Sequence, residues 1–423
     1  MDIKMMHESR HPGSSYLLFV LFITLAVAFV DRQMLNILVD PIRADTGLTD
    51  TQIGMLQGPA FIITYTLCMF PVAWLSDRFS RKLVIIVSLI SFSLMTFLFG
   101  IAEGFLGLLL TRAGVAIGEA AITPAAVSLI RESRPPEKQA FAMGVFGTGV
   151  YVGSGLALMV GGSGYQAIFN VTGDASAWRW LFMLCAGLGL LVILFVIFMK
   201  EPVRIESNRT DPADDSSMAA FFRHIRGMLK IVVPFLMAFI CISAMSMAIL
   251  SWFPAMLTRA GWSFQSAGFA LGIANLVGGA CGALSSGHIA GLLARRGISY
   301  PAIRILTAVT ILFGISAAAT AMAISPVLAI IFAGLTMAGS GAIATMGVYG
   351  FQSLFPSKFS ARAVAFYMVL SGTLGAPLGP LVVPMVIDLA NGSLQLAIAI
   401  VALTGTALAL LCLAPIFVKF SKQ

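Results

Sequence analysis

The sequence predicts an all-α polytopic membrane protein in which twelve transmembrane helices form two six-helix bundles, with both termini in the cytoplasm. The 423-residue chain is 59% hydrophobic and only 10% charged, whereas soluble domains carry roughly 25% charged residues. Its mean hydropathy is +0.96. The apolar runs are continuous and close to the roughly 20 residues that a transmembrane helix needs. Because β-barrel strands show short alternating segments instead, the spans are predicted to be helical.

Breaks rich in charged residues, proline or glycine divide the apolar runs into two sets of six. The first six spans are predicted at 16–39, 52–75, 83–101, 105–130, 139–161 and 178–199, and the last six at 229–257, 264–293, 301–323, 327–351, 361–387 and 394–418. These spans predict an amino-terminal bundle over 1–199, a cytoplasmic linker over 200–228 and a carboxy-terminal bundle over 229–423. At the end of the linker, MAAFFRHIRGMLK favours a short amphipathic helix.

The basic residues predict the orientation of the spans. Of the 26 Lys and Arg residues, only Arg43, Arg179 and Arg259 fall in loops on the side opposite the termini, while Arg32 and Arg112 lie within spans. Cytoplasmic loops carry an excess of Lys and Arg, so both termini are predicted to be cytoplasmic. The same bias accounts for the net charge of +8 without a nucleic-acid partner.

The two halves have matching loop chemistry, which indicates an internal repeat. The loops after spans four and ten read RPPEKQAFAMGVF and FPSKFSARAVAFYM, and the loops after spans two and eight read WLSDRFSRK and GLLARRGIS. Two parallel six-span repeats are typical of transporters, whose substrate site lies between the repeats near the membrane midplane.

Four charged residues lie at membrane depth within predicted spans: Asp31 and Arg32 in FVDRQMLNILVD, and Arg112 and Glu119 in span four. Charges at this depth cost several kcal/mol and mark functional sites by default. The spacing predicts that Asp31 meets Arg112 at one level, while Glu119 lies about 10 Å deeper along its helix, without a fixed partner. Arg32 is then free for the anionic head of a substrate or for Glu119. The alternative is an ion-pair network that only holds spans one and four together, although buried ion pairs stabilise poorly compared with apolar residues.

The loop after span two resembles the signature of the major facilitator superfamily, G-x-x-x-D-R-x-G-R-[RK]. The charged members are present as Asp77, Arg78 and Arg81, whereas Ala73 and Ser80 replace the two glycines. The resemblance extends over nearly the whole chain and implies alternating access. We expect the three charged residues to form a cytoplasmic gate in which Asp77 faces a helix N-terminus, although a loop charge cluster can also serve only to set topology.

Two further stretches, VDRQMLNILVDPIRADTGLTDTQIGMLQG and TRAGVAIGEAAITPAA, resemble the bacterial relatives of the spinster branch of that superfamily. In that branch an Asp-Arg pair in span one and an Arg-(x6)-Glu pair in span four line the cavity, and the four buried charges of this chain fall on those positions. The resemblance implies that Glu119 and Asp31 couple transport to protons and that Arg32 and Arg112 bind substrate. The anion symporters of the superfamily also carry an early Asp-Arg.

Other polar and aromatic residues within spans are candidates for contact with the substrate. They are Tyr151, Trp252, Asn275, Thr336, Ser340 and Tyr349. Glycines at 144, 147, 149, 153 and 155 lack the Gly-Pro of the antiporter signature, and therefore indicate close helix packing. The prolines of GTLGAPLGP favour a bend in span eleven.

The sequence lacks the motifs of enzymatic or ATP-driven chemistry, since G-x-S-x-G and G-x-x-x-x-G-K are absent. The histidines and the five cysteines show no metal-ligand spacing. We therefore expect no enzyme activity, no metal and no cofactor. The protein is expected to be a monomer in the inner membrane that uses the proton gradient as its driving force. The expected substrate is an amphiphilic molecule with an anionic head, such as a lysolipid; the alternative is proton symport of a small organic anion or sugar acid.

Overall fold

The computed structural model describes residues 14–202, 218–298, 300–356 and 359–421, and in these ranges the chain forms helices and no β-strand. The predicted all-α class is therefore confirmed. Eleven of the described helical segments are long and apolar enough to cross a membrane. Helices α3 and α4 occupy the predicted second span. The count of twelve spans and the cytoplasmic placement of the termini remain predictions.

The helices follow the predicted spans in order and, except for span five, closely in extent. The helix of span five continues to Thr172, past its predicted end at 161. Helices α1 to α9 cover Ser14–Ile37, Val39–Thr46, Asp50–Gln57, Pro59–Arg78, Arg81–Ile101, Gly104–Glu119, Ile122–Ser133, Pro136–Thr172 and Ala177–Phe198. Helices α10 to α18 cover Met218–Gly227, Leu229–Arg259, Phe264–Ile273, Ala280–Arg295, Pro301–Ala321, Pro326–Gln352, Ser360–Leu370, Gly379–Ile387 and Leu394–Ser421. The short helix expected at the end of the linker is α10.

The chain divides into two compact units. The first comprises Met1–Leu48 and Thr64–Asn208, and the second comprises Thr49–Ile63 and Arg209–Gln423. The segment Thr49–Ile63, which contains α3 and the start of α4, is thus grouped with the carboxy-terminal helices.

In the first unit, α1 packs along α8 because glycines allow the two backbones to approach closely. A Cβ atom placed on Gly153 would lie 2.1 Å from the carbonyl oxygen of Ala26, and one on Gly149 would lie 3.0 Å from that of Phe22. Gly144 and Gly147 have nothing within 4 Å of the same position. Close packing is therefore confirmed for Gly149 and Gly153, and it is wrong as an explanation for Gly144 and Gly147.

Span four is broken directly after Glu119. Helix α6 ends at this residue, and α7 begins at Ile122 after the two alanines Ala120 and Ala121. Both alanines are buried, because their small side chains fit where helices pack closely together. The break leaves Glu119 in the last turn of α6, in the interior of the first unit.

In the second unit, two π-helical segments interrupt long spans. Ala274–Gly279 joins α12 to α13, and Ser371–Gly375 follows α16. After the second segment the chain turns, and α17 restarts at Gly379. A π-bulge and the following prolines break the regular hydrogen-bond ladder of a helix, so span eleven is interrupted where the bend is predicted. The bend itself stays a prediction.

The segment Thr49–Ile63 packs within the second unit through backbone contact. A Cβ atom on Gly54 or on Gly58 would lie 2.5 Å from the carbonyl oxygen of Pro380 or Pro377, respectively. The amide of Gln57 also donates to the backbone oxygen of Ser251 at 3.3 Å. Larger residues at either glycine would force these backbones apart.

We expect Gly153→Val to destabilise the protein far more than Gly147→Val. Both substitutions add the same β-branched side chain to α8, so they share the propensity cost, but only Gly153 faces the backbone of α1. Overpacking of this kind costs about 1–3 kcal/mol. Unfolding in detergent, followed by circular dichroism, measures the difference; equal losses for the two variants would contradict the packing role of Gly153.

Candidate functional site

Asp31 and Arg112 form an ion pair between α1 and α6. Arg112 NH1 lies 2.5 Å from Asp31 Oδ2, and Thr96 Oγ1 of α5 donates to Asp31 Oδ1 at 3.1 Å. Asp31, Arg112 and Thr96 are all buried. This is the pairing that the spacing of the sequence predicts, and the bond from Thr96 satisfies the second carboxylate oxygen of Asp31.

Arg32 and Glu119 form a second ion pair between the same two helices. Nε and NH2 of Arg32 each lie 2.7 Å from Glu119 Oε2. The side chain of Arg32 is 22% exposed and that of Glu119 is 0% exposed. The sequence leaves two partners open for Arg32, an anionic substrate or Glu119, and the structure shows the pair with Glu119, which is therefore not alone. Neighbouring residues of α1 point about 100° apart, so Asp31 and Arg32 reach different residues of α6.

One oxygen of Glu119 remains without a hydrogen bond. Oε2 receives both contacts from Arg32, whereas Oε1 is buried and makes no hydrogen bond with any described residue. Buried polar atoms without partners are uncommon in proteins, and each asks for an explanation such as a functional role. Among the described residues, Oε1 is therefore the one carboxylate oxygen of the two ion pairs that has no donor.

Two aromatic rings flank the guanidinium of Arg32. Its central carbon lies 4.7 Å from the ring centroid of Phe29 and 4.6 Å from that of Tyr65. The hydroxyl of Tyr65 also lies 3.5 Å from Thr123 Oγ1 of α7. Sequence reasoning missed Tyr65, because an aromatic residue within an apolar span carries no signal that separates it from residues facing lipid.

The remaining substrate candidates have surroundings of their own among the described residues. In the first unit, Tyr151 lies half-buried on α8. In the second unit, Trp252 is buried and donates its indole N–H to the backbone oxygen of Pro380 at 3.0 Å. Thr336 is also buried, and its hydroxyl contacts the hydroxyl of Ser316 at 3.0 Å. Both donors thus already have partners within the second unit.

Three further candidates in the second unit differ in their exposure. Asn275 is buried within the π-helical segment Ala274–Gly279, Ser340 is half-buried and Tyr349 is exposed. The structure contains no ligand that would distinguish among them, so their assignment to substrate binding stays a prediction.

The expected gate residues have different surroundings. The side chain of Asp77 lies outside the described part of the chain. Arg78 ends α4 and stacks over the ring of Trp74 at 4.0 Å. Arg81 is buried at the start of α5, where it pairs with Glu132 and lies 3.6 Å from Glu201. Arg81 is thus held by acids of its own unit, which is a positioning role that the loop pattern did not predict.

Ser80, which replaces a glycine of the superfamily signature, has a structural role of its own. Its hydroxyl accepts from the backbone N–H of Leu83 and so caps α5, and it also donates to Glu201 Oε2 at 2.5 Å. Burial opposes the charge on Glu201, but this bond and those from the backbone N–H groups of Arg81 and Lys82 outweigh burial and lower the pKa of the carboxyl. The carboxylate of Glu201 therefore fixes the start of α5.

We expect Tyr65→Leu to destabilise the first unit more than Tyr65→Phe does, because both variants lose the hydroxyl and only the leucine also loses the ring. A ring beside a guanidinium contributes about 0.5–2 kcal/mol, and phenylalanine keeps the ring whereas leucine keeps only its apolar character. Thermal unfolding of both variants in detergent measures this difference. Equal stability of the two variants would show that the ring does not hold Arg32.

Comparison with known proteins gives the family. Residues 21–380 match the Major Facilitator Superfamily. An MFS-type efflux pump of Mycolicibacterium smegmatis is 28% identical over 385 residues, which cover 90% of this chain and 87% of that protein. Protein spinster homolog 1 of Xenopus tropicalis is 30% identical over 226 residues, which cover 52% of this chain and 40% of that protein.

A solved structure shares the fold over almost the full length. The crystal structure of a bacterial homolog of the human lysosomal transporter Spinster, inward-facing and unoccupied, has a TM-score of 0.81 and 22% identity, covering 97% of this chain and 98% of the other. The resemblance to the spinster branch is thus confirmed. Because the family match extends over most of the chain, this protein belongs to the Major Facilitator Superfamily of membrane transporters.

Proposed function

We propose that this protein is a proton-coupled secondary transporter that works by alternating access and moves an amphiphilic molecule with an anionic head. We place it as a monomer in the inner membrane, driven by the proton gradient, with no cofactor. The observation that carries the proposal is the ion pair of Arg32 with Glu119. In this pair the acid is fully buried, the base is partly exposed, and one carboxylate oxygen has no hydrogen bond to any residue that the structure describes.

The pair supports proton coupling because a buried carboxylate has two stable arrangements. It is stable beside a cation, as it now is beside Arg32, or in its neutral, protonated form. A proton that binds Glu119 removes the negative charge that holds Arg32 and releases the guanidinium. Once Glu119 is protonated, Arg32 has lost the anion beside it, and an anionic substrate can take that place. Conversely, a substrate bound to Arg32 leaves Glu119 without its cation, and a proton then neutralises it. The proton and the substrate therefore favour each other's binding.

The setting of Arg32 supports an anionic head as its ligand. The guanidinium presents a planar set of donors that matches carboxylate and phosphate groups. It is the more exposed member of its pair, and Phe29 and Tyr65 restrict its movement. The pair of Asp31 with Arg112 is buried on both sides, and it serves in this mechanism to keep α1 and α6 together while Arg32 changes partner.

The distribution of buried charge supports an amphiphilic substrate. Among the described residues, the buried charged side chains are Asp31, Arg81, Arg112 and Glu119, and all four lie in the first unit. The buried polar residues of the second unit are neutral, and its apolar interior includes Met245 and Met256. Charge that is confined to the first unit suits the polar head of an amphiphile, whose apolar tail needs no charged partner.

A second candidate is proton symport of a small organic anion or sugar acid. The observation that favours it is that Arg32 already holds a carboxylate, that of Glu119, at 2.7 Å. A small carboxylate substrate would present the same group without an apolar tail. Uptake into proteoliposomes under an imposed pH gradient separates the two candidates: lysophospholipids should be transported in the first case, and sugar acids alone in the second.

We expect Glu119→Gln to abolish pH-driven transport while substrate binding is retained. Glutamine has the shape of protonated glutamate but takes up no proton, so the step that depends on the gradient is lost. Proteoliposome flux with and without a pH gradient measures coupling, and ligand-induced thermal stabilisation measures binding. Glu103→Gln, at the exposed start of the same helix, is the matched control; full pH-driven flux in Glu119→Gln would refute the role of Glu119.

We expect Arg32→Gln to lose substrate binding itself, by about tenfold or more, because a charge-assisted contact to an anion contributes about 1.5–3 kcal/mol. The matched control is Arg43→Gln on the exposed face of α2. Thermal stabilisation across a ligand panel gives the change in affinity. If Arg32→Gln and Arg43→Gln bind equally well, the anionic head is not bound by Arg32.

A further inference from the structure

The short helix α10 is fixed to the second unit by an aromatic anchor. Phe221 is buried, and its ring centroid lies 5.7 Å, 5.8 Å and 6.0 Å from those of Phe355, Phe359 and Phe366. The next residue, Phe222, is 52% exposed. The aromatic contacts therefore set which face of α10 is turned toward the body of the unit and which face stays open.

A basic cavity lies beside this helix. Its volume is about 520 Å³, and its described lining contains two basic side chains and no acidic one. The lining residues are Ala220, Arg223, His224, Gly227, Met228, Pro356 and Phe359. The cavity lies within the second unit, between α10, the start of α11 and the chain that leads into α16.

His224 is held rigidly at the wall of the cavity with one nitrogen unused. Its ring centroid lies 5.8 Å from that of Phe355 and 5.5 Å from that of Phe359. Nε2 is buried and makes no hydrogen bond with any described residue. In the tautomer that carries its proton on this nitrogen, the imidazole can donate a hydrogen bond to a bound acceptor.

We propose that this cavity binds the phosphate group of an anionic phospholipid. Arg223 supplies a guanidinium whose planar donors match phosphate oxygens, and His224 supplies a fixed N–H donor beside it. The positive-inside rule explains an excess of basic residues near a membrane, but it does not explain a concave site in which an oriented histidine has an unused nitrogen.

The surroundings of the cavity favour a membrane lipid over free phosphate. The same helix exposes the apolar Phe222 together with the basic Arg223 and Arg226. Helices that expose an aromatic residue beside basic residues lie in the membrane interface and attract anionic lipids. Since the linker is predicted to be cytoplasmic, the lipid would come from the cytoplasmic leaflet.

The test compares two arginines of the same helix in the full-length protein. Arg223 lines the cavity, whereas Arg226 is exposed and does not. Thermal stabilisation of the detergent-purified chain is measured with phosphatidylglycerol, with phosphatidylcholine and with inorganic phosphate as separate probes. We expect phosphatidylglycerol alone to stabilise the native chain and R226Q, with the apparent affinity reduced about tenfold in R223Q and in H224Q.

Several outcomes would overturn the proposal. Equal loss in R223Q and R226Q would indicate general attraction between charges and no built site. Equal stabilisation by phosphatidylcholine would show that the site does not select an anionic lipid. Stabilisation by inorganic phosphate alone would show that the ligand is free phosphate and not a lipid. The acidic stretch DPADD of the linker is a rival occupant in the sequence. If phosphatidylglycerol acted only after Asp214→Asn and Asp215→Asn, the chain itself would fill the site.

Discussion

A charge within a membrane-spanning helix must be neutralised inside the protein, and two ion pairs between α1 and α6 meet this requirement. Lipid offers no solvation, so each charge needs a partner or water. The adjacent residues Asp31 and Arg32 reach Arg112 and Glu119, which lie on one face of α6. The packing of α5 and α7 against these helices then follows, since Thr96 and Thr123 complete the surroundings of the charges.

The two ion pairs differ in burial, which suits one of them to holding α1 and α6 together and the other to an exchange of partners. Asp31 and Arg112 are buried on both sides, and Asp31 has an additional donor in Thr96. Breaking such a pair leaves a buried charge and is strongly destabilising. In the other pair, Arg32 is partly exposed, and Oε1 of Glu119 makes no hydrogen bond with any described residue. Because Glu119 is fully buried, this pair can open without leaving a buried charge only when Glu119 has taken up a proton, and exchange of partners is expected in that state.

Small residues give the charged network its geometry. Gly153 and Gly149 allow α8 to pack closely against α1. A Cβ atom added to Gly118, the neighbour of Glu119, would lie 2.6 Å from the backbone nitrogen of Phe92. At membrane depth, where no hydrophobic force drives helices together, close approach of this kind supplies packing energy. Ser80, which replaces a signature glycine, contributes through its side chain instead. Its hydroxyl caps α5 and donates a hydrogen bond to Glu201.

The sequence by itself determined the all-α membrane class, the superfamily, the short helix of the linker and the pairing of Asp31 with Arg112. These follow from hydropathy, motif spacing and the 3.6-residue period of a helix, which are properties of the chain read locally. Only the tertiary structure decided that Arg32 holds Glu119, that Tyr65 flanks Arg32, and that Arg81 is buried between Glu132 and Glu201. Each of these contacts joins residues that are far apart in the chain. Which side chains meet depends on how each helix is rotated about its axis by packing against its neighbours, and a local sequence pattern does not record that rotation.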